Sequence, residues 1–425
     1  MLSQRRRGAS ILFVGSLFSA TPLAAAEGWE FGGHLKYQLG ATDFRFGDVA
    51  ALYGDDPVYD QAFDGRLKTE WRQHGLDFSA HYEVLALNGD ALETRRALRT
   101  LGLLASGSAS GLPDDRQRLF DLTDDVIDQR RTVAVHRLDR LAVGYTAGKA
   151  TVRLGRQAMS WGNGLAFQVF DFENPFSPIA IDKDYKTGED MLYGQWQWTD
   201  QGDGQVLLLP RRDPLTRKLD HELASHAVKL HTRAGDFDVD ALAARHYDQT
   251  LLGVGGTRSI GGAVWRLDAL HTDIPGRDGV WSLVTNLDYS WTLFGKNLYS
   301  FVEYFRNGFG VYKDAGYVGM DPQLAARVAR GELYTLGRDN LVLGLQVEIS
   351  PLLNVFGTLL QNLNDGSRLA QLRGVYDWRQ NLQVMAGVNL PAGERGSEYG
   401  GVAVAPGGPY LAVGSSVYAR LAYYF

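Results

Sequence analysis

The chain has 425 residues, a formal net charge of −6 and no cysteine. Disulfide stapling is therefore excluded, and the mildly acidic balance argues against nucleic-acid binding, which relies on basic faces. Fifty glycines and an aromatic content of 11% suit a sheet-rich protein.

The first 26 residues have the three parts of a secretory signal peptide. The stretch "MLSQRRRGAS" is a basic start, and "ILFVGSLFSA" is an apolar core of about ten residues. Ala24 and Ala26 then stand in the A-x-A spacing of a cleavage site. A buried N-terminal helix is the alternative. We expect cleavage after Ala26 and one exported domain over residues 27–425.

Beyond this segment, apolar and polar side chains alternate over many short stretches. In "GWEFGGHLKYQLG", Leu35 and Tyr37 fall on one face of an extended chain, whereas His34 and Lys36 fall on the other. This period of two indicates strands with one apolar face. About eighteen stretches have the length of a tilted membrane strand. Their predicted spans are 29–41, 62–72, 76–87, 135–146, 150–161, 190–198, 204–210, 226–234, 237–247, 250–257, 262–272, 280–292, 297–306, 339–349, 352–362, 368–377, 381–390 and 409–425.

The connections between these strands alternate in length. Every second one is short, as in "QHG", "AGKA" and "LFGKN". Most of the others are long, at 42–61, 88–134, 162–189, 211–225, 273–279, 307–338 and 391–408. Bacterial outer-membrane barrels have this asymmetry, with short periplasmic turns and long extracellular loops. We predict an all-β fold, a transmembrane antiparallel β-barrel of about 18 strands, with 16 as the alternative count.

The composition of the two faces of the strands indicates whether each face meets lipid or water. The apolar face is banded with aromatic residues, whereas the other face carries more charge than a dry core tolerates. A lipid-facing exterior around a water-filled lumen accounts for both. Structural salt bridges between neighbouring strands are the alternative role for individual charges. The predicted pore-lining residues are Lys36, Arg66, Lys68, Glu70, Arg72, His81, Glu83, Arg153, Arg156, Gln157, Lys229, Arg233, Arg266, Asp288, Glu348, Arg373 and Arg420.

Two long connections carry features of their own. The connection 88–134 contains "ALETRRALRTLGLLA", whose helical composition places a helix near the mouth. Its acidic stretch "DLTDDVIDQ" favours a solvated helix over a cation site, since it lacks the order of an EF-hand loop. In strand 150–161, Arg156 shares the parity of Val152 and Leu154, which predicts a β-bulge.

The connection 162–189 is rich in aromatic residues that would be an aggregation hazard in water. Folding inward onto the barrel wall would bury them and narrow the pore, and packing against other extracellular loops is the alternative. The predicted constriction-loop residues are Phe167, Phe170, Phe172, Phe176, Asp182, Lys183 and Asp184.

Sequence motifs for metal binding or catalysis are weak. In "HELASH", His221 and His226 are five residues apart beside a strand, whereas the metalloprotease motif places its histidines four apart on a helix. We therefore expect a polar loop there, no metal, no cofactor and no enzymatic activity.

The last strand carries a resemblance to a known family. "VYARLAYYF", ending at Phe425, resembles the C-terminal signal of bacterial outer-membrane β-barrels. That resemblance implies insertion by the barrel-assembly machinery through Phe425 and a lipopolysaccharide-containing membrane as surroundings. "VRLGRQAMSWGNGLAFQVFDFENPFSP" is similar to segments of porin-like and alginate-export-like barrels.

Three functions are compatible with these features. The first is an outer-membrane porin for passive diffusion of small hydrophilic or anionic solutes, because charge rings set ion selectivity in pores. The second is an export conduit for a polysaccharide, for which a denser cationic lumen is expected. The third is a structural barrel around a periplasmic partner, which a wide lumen without an inward loop would favour.

Overall fold

The segments in which apolar and polar side chains alternate form long antiparallel strands, each paired with the next around a ring. The computed structural model describes residues 27–53, 57–100, 111–180, 184–312 and 317–425, so the expected signal peptide lies outside the described residues. The strands are β1 (Gly28–Asp43), β2 (Val58–Gln73), β3 (Leu76–Gly89), β4 (Thr123–Asp128), β5 (Thr132–Ala147), β6 (Ala150–Gln157), β7 (Glu189–Thr199), β8 (Gly202–Arg212), β9 (Leu219–Ala234), β10 (Phe237–His246), β11 (Gln249–Ile260), β12 (Ala263–Ile274), β13 (Arg277–Leu293), β14 (Lys296–Arg306), β15 (Asp339–Ser350), β16 (Leu353–Asn362), β17 (Arg368–Arg379), β18 (Leu382–Ala392), β19 (Val402–Ala403), β20 (Tyr410–Leu411) and β21 (Ser415–Tyr424).

Eighteen of these strands close into one barrel. Each pairs antiparallel with its neighbours, β3 pairs directly with β5, and β18 pairs with β21. The circuit closes because β1 pairs with β2 on one side and with β21 on the other, where Leu35 lies opposite Tyr423. Closure leaves no free strand edge. The predicted all-β barrel of 18 strands is confirmed, and the alternative count of 16 is wrong.

Burial along the strands is inverted relative to a water-soluble protein. On β1, Leu35 and Tyr37 are 48% and 44% exposed, whereas His34 and Lys36 are 0% and 3% exposed. Long charged side chains are rarely buried in soluble proteins, and rows of large apolar ones are rarely exposed. The pattern is that of a wall with lipid outside and polar groups inside.

The two ends of the barrel differ in their connections. At one end, here the turn end, eight two-residue turns join consecutive strands. In three of them both residues have positive φ, with His74 at 51° and Gly75 at 81°, Gly261 at 56° and Gly262 at 90°, and Phe294 at 50° and Gly295 at 72°. Such primed turns match the twist of antiparallel strands.

The other end, here the loop end, carries all the long connections. The longest are 44–57, 90–131, 158–188, 307–338 and 393–414. Two predicted long loops are wrong. The connection predicted at 211–225 shrinks to 213–218, and the one predicted at 273–279 is a two-residue turn at 275–276. The strands beside them keep pairing further towards the loop end than the sequence pattern indicated.

Three helices lie in the long loops, namely α1 (Val49–Tyr53), α2 (Asp90–Thr100) and α3 (Pro322–Arg330). α2 falls on the helix predicted in 88–134, and residues 101–110 of that prediction lie outside the described residues. α3 begins where the Asp321 side chain accepts a hydrogen bond from the Gln323 amide. Within the described ranges, no helix has the length and apolar character needed to cross a membrane.

On the loop-end side of β6, residues 111–128 complete the wall. β6 ends at Gln157, four residues before its predicted end, and β4 pairs beside the upper half of β5 in its place. The Leu138 amide donates to the Leu122 carbonyl oxygen over 2.9 Å, which extends the same pairing. The helix predicted for "DLTDDVIDQ" is therefore wrong, because its backbone pairs with β5 as a strand.

Candidate functional site: the inward loop and the charged inner wall

The connection from β6 to β7, residues 158–188 and here named the inward loop, lies against the inner wall. Its first polar anchor is Asn163, whose backbone and side-chain nitrogens each donate to Asp268 on β12 over 2.6 Å. The Asn286 side chain on β13 donates to the Asn163 carbonyl oxygen over 3.0 Å. These partners lie on the face opposite the exposed apolar side chains, so the loop is inside the barrel.

A second anchor is the carboxylate of Glu303 on β14. It accepts hydrogen bonds from the backbone amides of Leu165, Ala166 and Phe167 over 2.5, 3.0 and 2.7 Å. Glu303 has no exposed surface. Hydrogen bonds that involve a charged partner in a water-poor site are stronger than neutral ones. The loop backbone is therefore held by its amides as well as by its side chains.

The aromatic residues of the loop fill the space beneath it. Phe167, Phe170 and Phe172 are 6%, 0% and 5% exposed, and Phe167 stacks on Phe305 of β14 with ring centres 4.4 Å apart. Gly253 on β11 makes room for Phe170, because a Cβ atom there would lie 2.6 Å from the ring. Phe176, further along the loop, is only half-buried.

The far end of the loop reaches the opposite side of the barrel. The Lys36 ammonium on β1 donates to Asp184 over 2.7 Å, and the Tyr424 hydroxyl on β21 donates to the same carboxylate over 2.9 Å. The Gln371 side chain on β17 donates to the Ile179 carbonyl oxygen over 3.5 Å. The loop thus touches wall strands from β8 through β17 to β1. Asp182 and Lys183, predicted in the constriction, lie outside the described residues.

Tyr185 stands among three cations at this end of the loop. The Arg66 guanidinium lies 4.4 Å from its ring centre, and the ammonium nitrogens of Lys68 and Lys36 lie 5.5 and 5.8 Å from it. The Tyr185 ring also stacks with the imidazole of His34, with ring centres 5.4 Å apart. Cations over an aromatic face are attracted by its quadrupole. Tyr185, Lys36, Arg66 and Lys68 are called the Tyr185 cluster below.

The loop also closes on itself and on the wall. The Lys186 ammonium lies 2.5 Å from the Asp171 carboxylate and donates to the Met159 carbonyl oxygen over 2.5 Å. Burial raises the pKa of Asp171 above its ordinary value, and the charge of Lys186 opposes that shift. The Gly188 amide then donates to Asp139 on β5 over 3.1 Å.

Behind the Tyr185 cluster the wall contains a buried charge network. Arg66 pairs with Glu83 on β3 and with Asp139 on β5, the latter over 2.8 Å. Arg137 lies 3.1 Å from the same Asp139. All four side chains are at most 7% exposed. Asp139 reaches both arginines because the register between β3 and β5 shifts there.

The inward loop is fastened to the long connection 307–338 by a second buried network. Arg211 on β8 pairs with Glu173 of the loop, and His246 on β10 lies 3.1 Å from Glu332. Burial would raise the pKa of Glu173, but the charge of Arg211 and a hydrogen bond from His246 bring it down to about 2. Burial likewise opposes ionisation of Glu332, yet His246 and Arg330 hold its pKa well below the usual range.

The other predicted pore residues lie in ion pairs or hydrogen bonds along the strands. The contacts are Glu70–Arg72 at 2.9 Å, His81–Glu70 at 3.3 Å, Arg153–Asp77 at 3.2 Å, Lys229–Asp240 at 2.9 Å, Arg266–Asp288 at 2.8 Å, Asn297–Glu348 at 2.9 Å and Arg233 to the Gly235 carbonyl oxygen at 3.1 Å. Arg373 lies over the Phe356 ring, and Arg420 is 5% exposed.

Arg156 departs from its predicted place in the pore. Its side chain has no exposed surface and pairs with Asp190 of β7 and Asp115 of the segment above β6, over 2.8 and 2.9 Å. It therefore holds the wall together and does not line a channel. Its neighbour Gln157 donates to the Met191 carbonyl oxygen over 3.3 Å. The bulge predicted at Arg156 is wrong, because β6 pairs with β5 and β7 without a register shift, and the shift in this part of the wall lies at Asp139 of β5.

Several residues of this site were not singled out from the sequence. Tyr185 lies in a polar stretch with no periodicity, so only the structure places it between cations. Glu303 did carry a signal, since it is an acid on the inner parity of a strand, as is Asp268, which the sequence pattern does place toward the lumen. Their partners in the inward loop are more than 100 positions away in sequence. The metal reading of "HELASH" finds no support, because no group of metal-binding side chains occurs among the described residues.

The closed 18-strand antiparallel barrel is a fold that this chain shares with solved structures of bacterial outer-membrane porins. No family model matches the chain, and no curated protein matches its sequence. Among solved structures, OccK7 (OpdD) of Pseudomonas aeruginosa is 11% identical, with a TM-score of 0.52 over 93% of this chain and 98% of that one. OccAB4 of Acinetobacter baumannii is 10% identical with a TM-score of 0.51, over 95% of this chain and 99% of that one. A BenF-like porin from Pseudomonas fluorescens is 8% identical with a TM-score of 0.51, over 93% and 98%.

Proposed function

We propose that the chain is an outer-membrane channel for the passive diffusion of small hydrophilic solutes, and that it favours anions. The observation that carries this proposal is the inward loop, which brings Tyr185 to a wall of three cations. A loop across the lumen narrows the path, and fixed charge beside a narrow path sets ion selectivity. The loop end then faces the extracellular side and the turn end the periplasm.

Lys68 is the cation in the cluster whose charge is best placed to act on solutes. Arg66 is neutralised by two buried carboxylates, and Lys36 pairs with Asp184. Within the described ranges, no carboxylate lies within ion-pair distance of the Lys68 ammonium, which is also partly exposed. A fixed charge outside a direct ion pair acts over about 10 Å in an aqueous path at moderate salt, and Glu70 on the same face of β2 offsets part of the Lys68 charge.

The two other candidate functions are less well supported. A structural barrel around a periplasmic partner needs an unobstructed lumen, whereas the inward loop spans this one from Asn163 to Asp184. A polysaccharide conduit needs a more strongly cationic lining than the paired charges along this wall provide. The proposal assigns no catalytic role to any residue.

Planar-bilayer recordings in a tenfold KCl gradient test the proposal. Full selectivity for one ion corresponds to a reversal potential of about 59 mV, and we expect the wild type to lie on the anion side of zero. Lys68→Glu should shift the potential toward cations. Arg379→Glu is the matched control, because Arg379 is exposed at the turn end of β17, away from the cluster. Equal shifts in both variants, or no conductance from correctly assembled protein, would overturn the proposal.

Export with cleavage after Ala26 and insertion by the barrel-assembly machinery belong to the same proposal. The Phe425 backbone exchanges hydrogen bonds of 2.8 and 3.1 Å with Gly33 on β1, which extends the pairing that closes the barrel. Phe425→Ala should lower the amount of folded barrel in outer-membrane fractions. Tyr312→Ala, an exposed aromatic in a long loop, should leave that amount unchanged.

A further inference from the structure

The outer surface of the barrel contains a cavity of about 490 Å³ near the loop end. Its floor is a row of paired residues on four consecutive strands, in which Leu154 lies opposite Leu192, Leu192 opposite Leu208, and Leu208 opposite His226. Leu119 and Phe120, from the segment that completes the wall above β6, form its upper rim.

The cavity opens toward lipid and not toward the lumen. Leu154, Leu192 and Leu208 are 53%, 38% and 40% exposed, and they share the outward face with Val152 and Val206. The cavity exists because β6 is only 8 residues long, so the segment that replaces its upper part bridges across the wall at a different level. The outward apolar belt of the barrel therefore continues into the cavity, whose lining also includes Asp190, Arg211 and Asp220.

His226 is an unusual member of this outward row. Its neighbours on the same face of β9, Val228 and Leu230, are apolar, as expected for a lipid-facing strand. His226 itself is exposed, and within the described ranges no group hydrogen-bonds to its imidazole. His221 lines the same cavity closer to the loop end. Polar residues on a lipid-facing surface are expensive and commonly mark a functional contact.

We propose that this cavity binds one acyl chain of a lipid from the extracellular leaflet, with the carbonyl and head-group region of that lipid at His226 and His221. The volume falls in the range of about 300–1,000 Å³ typical of small-molecule sites. An unfilled void at this surface would forfeit dispersion contacts along its lining, and an inserted chain restores them. The polar rim supplies hydrogen-bond donors or acceptors where the apolar chain ends.

The chemistry of the rim favours a lipid over other occupants. Arg212 ends β8 and Asp220 lies near the start of β9, where it lines the cavity, and Asp213 and Lys218 lie in the connection between the two strands. Charges of both signs suit a zwitterionic or phosphorylated head group exposed to water. The inference depends on a barrel that spans a membrane, and it is independent of which solute passes through the lumen.

Photolabelling of the full mature barrel tests the site. The barrel is reconstituted in vesicles that contain a phosphatidylethanolamine with a diazirine on one acyl chain, and labelled peptides are mapped by mass spectrometry. We expect peptides that carry Leu119–Phe120 and 219–226 to be labelled at least fivefold more than the outward row at Leu287 and Tyr289 on β13. Equal labelling of the two regions would overturn the proposal.

Two matched variants decide whether the cavity itself causes the labelling. Leu208→Trp fills the cavity and should reduce its labelling at least fivefold, whereas Val206→Trp, two residues along the same outward face and outside the lining, should leave it within twofold. If Leu208→Trp does not assemble, Leu192→Trp fills the same space from β7. Unchanged labelling in an assembled filled variant contradicts the proposal. Intermolecular cross-linking of Leu219→Cys barrels in place of lipid labelling would assign the cavity to a barrel–barrel contact and would also overturn it.

Discussion

Replacing Phe170 by alanine should release the inward loop from the inner wall. Phe170 has no exposed surface and fits against Gly253 and Gly255 of β11. Truncation of a fully buried phenylalanine costs about 3–5 kcal/mol. If about 3 kcal/mol of this loss lowers the stability of the loop in its place on the wall, the ratio of released to seated loop rises about a hundredfold. Each 1.4 kcal/mol corresponds to a factor of ten in that ratio. The strand ladders of the barrel are unaffected, so the protein should still assemble.

Single-channel recording measures this release. The Phe170→Ala channel should show a larger mean conductance and frequent transitions between levels, because a released loop no longer narrows the path. Phe176→Ala is the matched control, since this half-buried ring in the same loop supplies less packing energy. Gly253→Val tests the same contact from the wall, because a Cβ atom at Gly253 would lie 2.6 Å from the Phe170 ring. Gly357→Val is its control, because nothing lies within 4 Å of a Cβ atom at Gly357. Wild-type conductance in assembled Phe170→Ala would refute the reasoning.

Three further predictions concern the wall and the loop. Arg66→Met leaves Glu83 and Asp139 buried without that partner, so it should destabilise the barrel by about 3–5 kcal/mol, seen as a lower temperature for loss of heat-modifiable gel mobility. Leu67→Glu, at a position 56% exposed on the outward face, should reduce membrane assembly, and an unchanged yield would mean that this face does not meet lipid. The depressed pKa of Glu173, about 2, stabilises the seated loop above pH 4–5, so conductance should stay constant from about pH 7 to 4.5 and change as the pH falls through about 2.

The strand circuit could be predicted because one physical rule governs every strand. A wall with lipid outside and water inside forces alternation over each crossing, and Leu35, Lys36 and Tyr37 of β1 follow it. The ends of the strands could not be predicted as well. Above the membrane both faces of a strand meet polar surroundings, so Leu219–Ser225 continues β9 without any alternation that the sequence would display.

The inward loop was partly predictable, and its partners were not. Buried aromatic residues were predicted at Phe167, Phe170, Phe172 and Phe176, and the structure buries the first three and leaves Phe176 half-buried. The pairing of Arg66 with Asp139 depends on a register shift in β5 that no residue type marks. The hydrogen bonds from loop amides to Glu303 depend on how far the loop extends across the lumen. Contacts between distant parts of the chain set that distance.

The contacts of Asp184 constrain the order in which the barrel is built. Its carboxylate accepts hydrogen bonds from Lys36 on the first strand and Tyr424 on the last, so this joint contact exists only after the two ends of the chain have met. The contacts of Asn163 with Asp268, in contrast, join the loop to β12 and involve neither of the two strands that meet at the seam. Because distant contacts form late in folding, we expect the contacts of the loop at Asn163 to form first. The contacts at Asp184 should form last, when β1 pairs with β21. A sheet arrested before closure would then carry a loop that is seated at its Asn163 end and lacks the joint contact at Asp184.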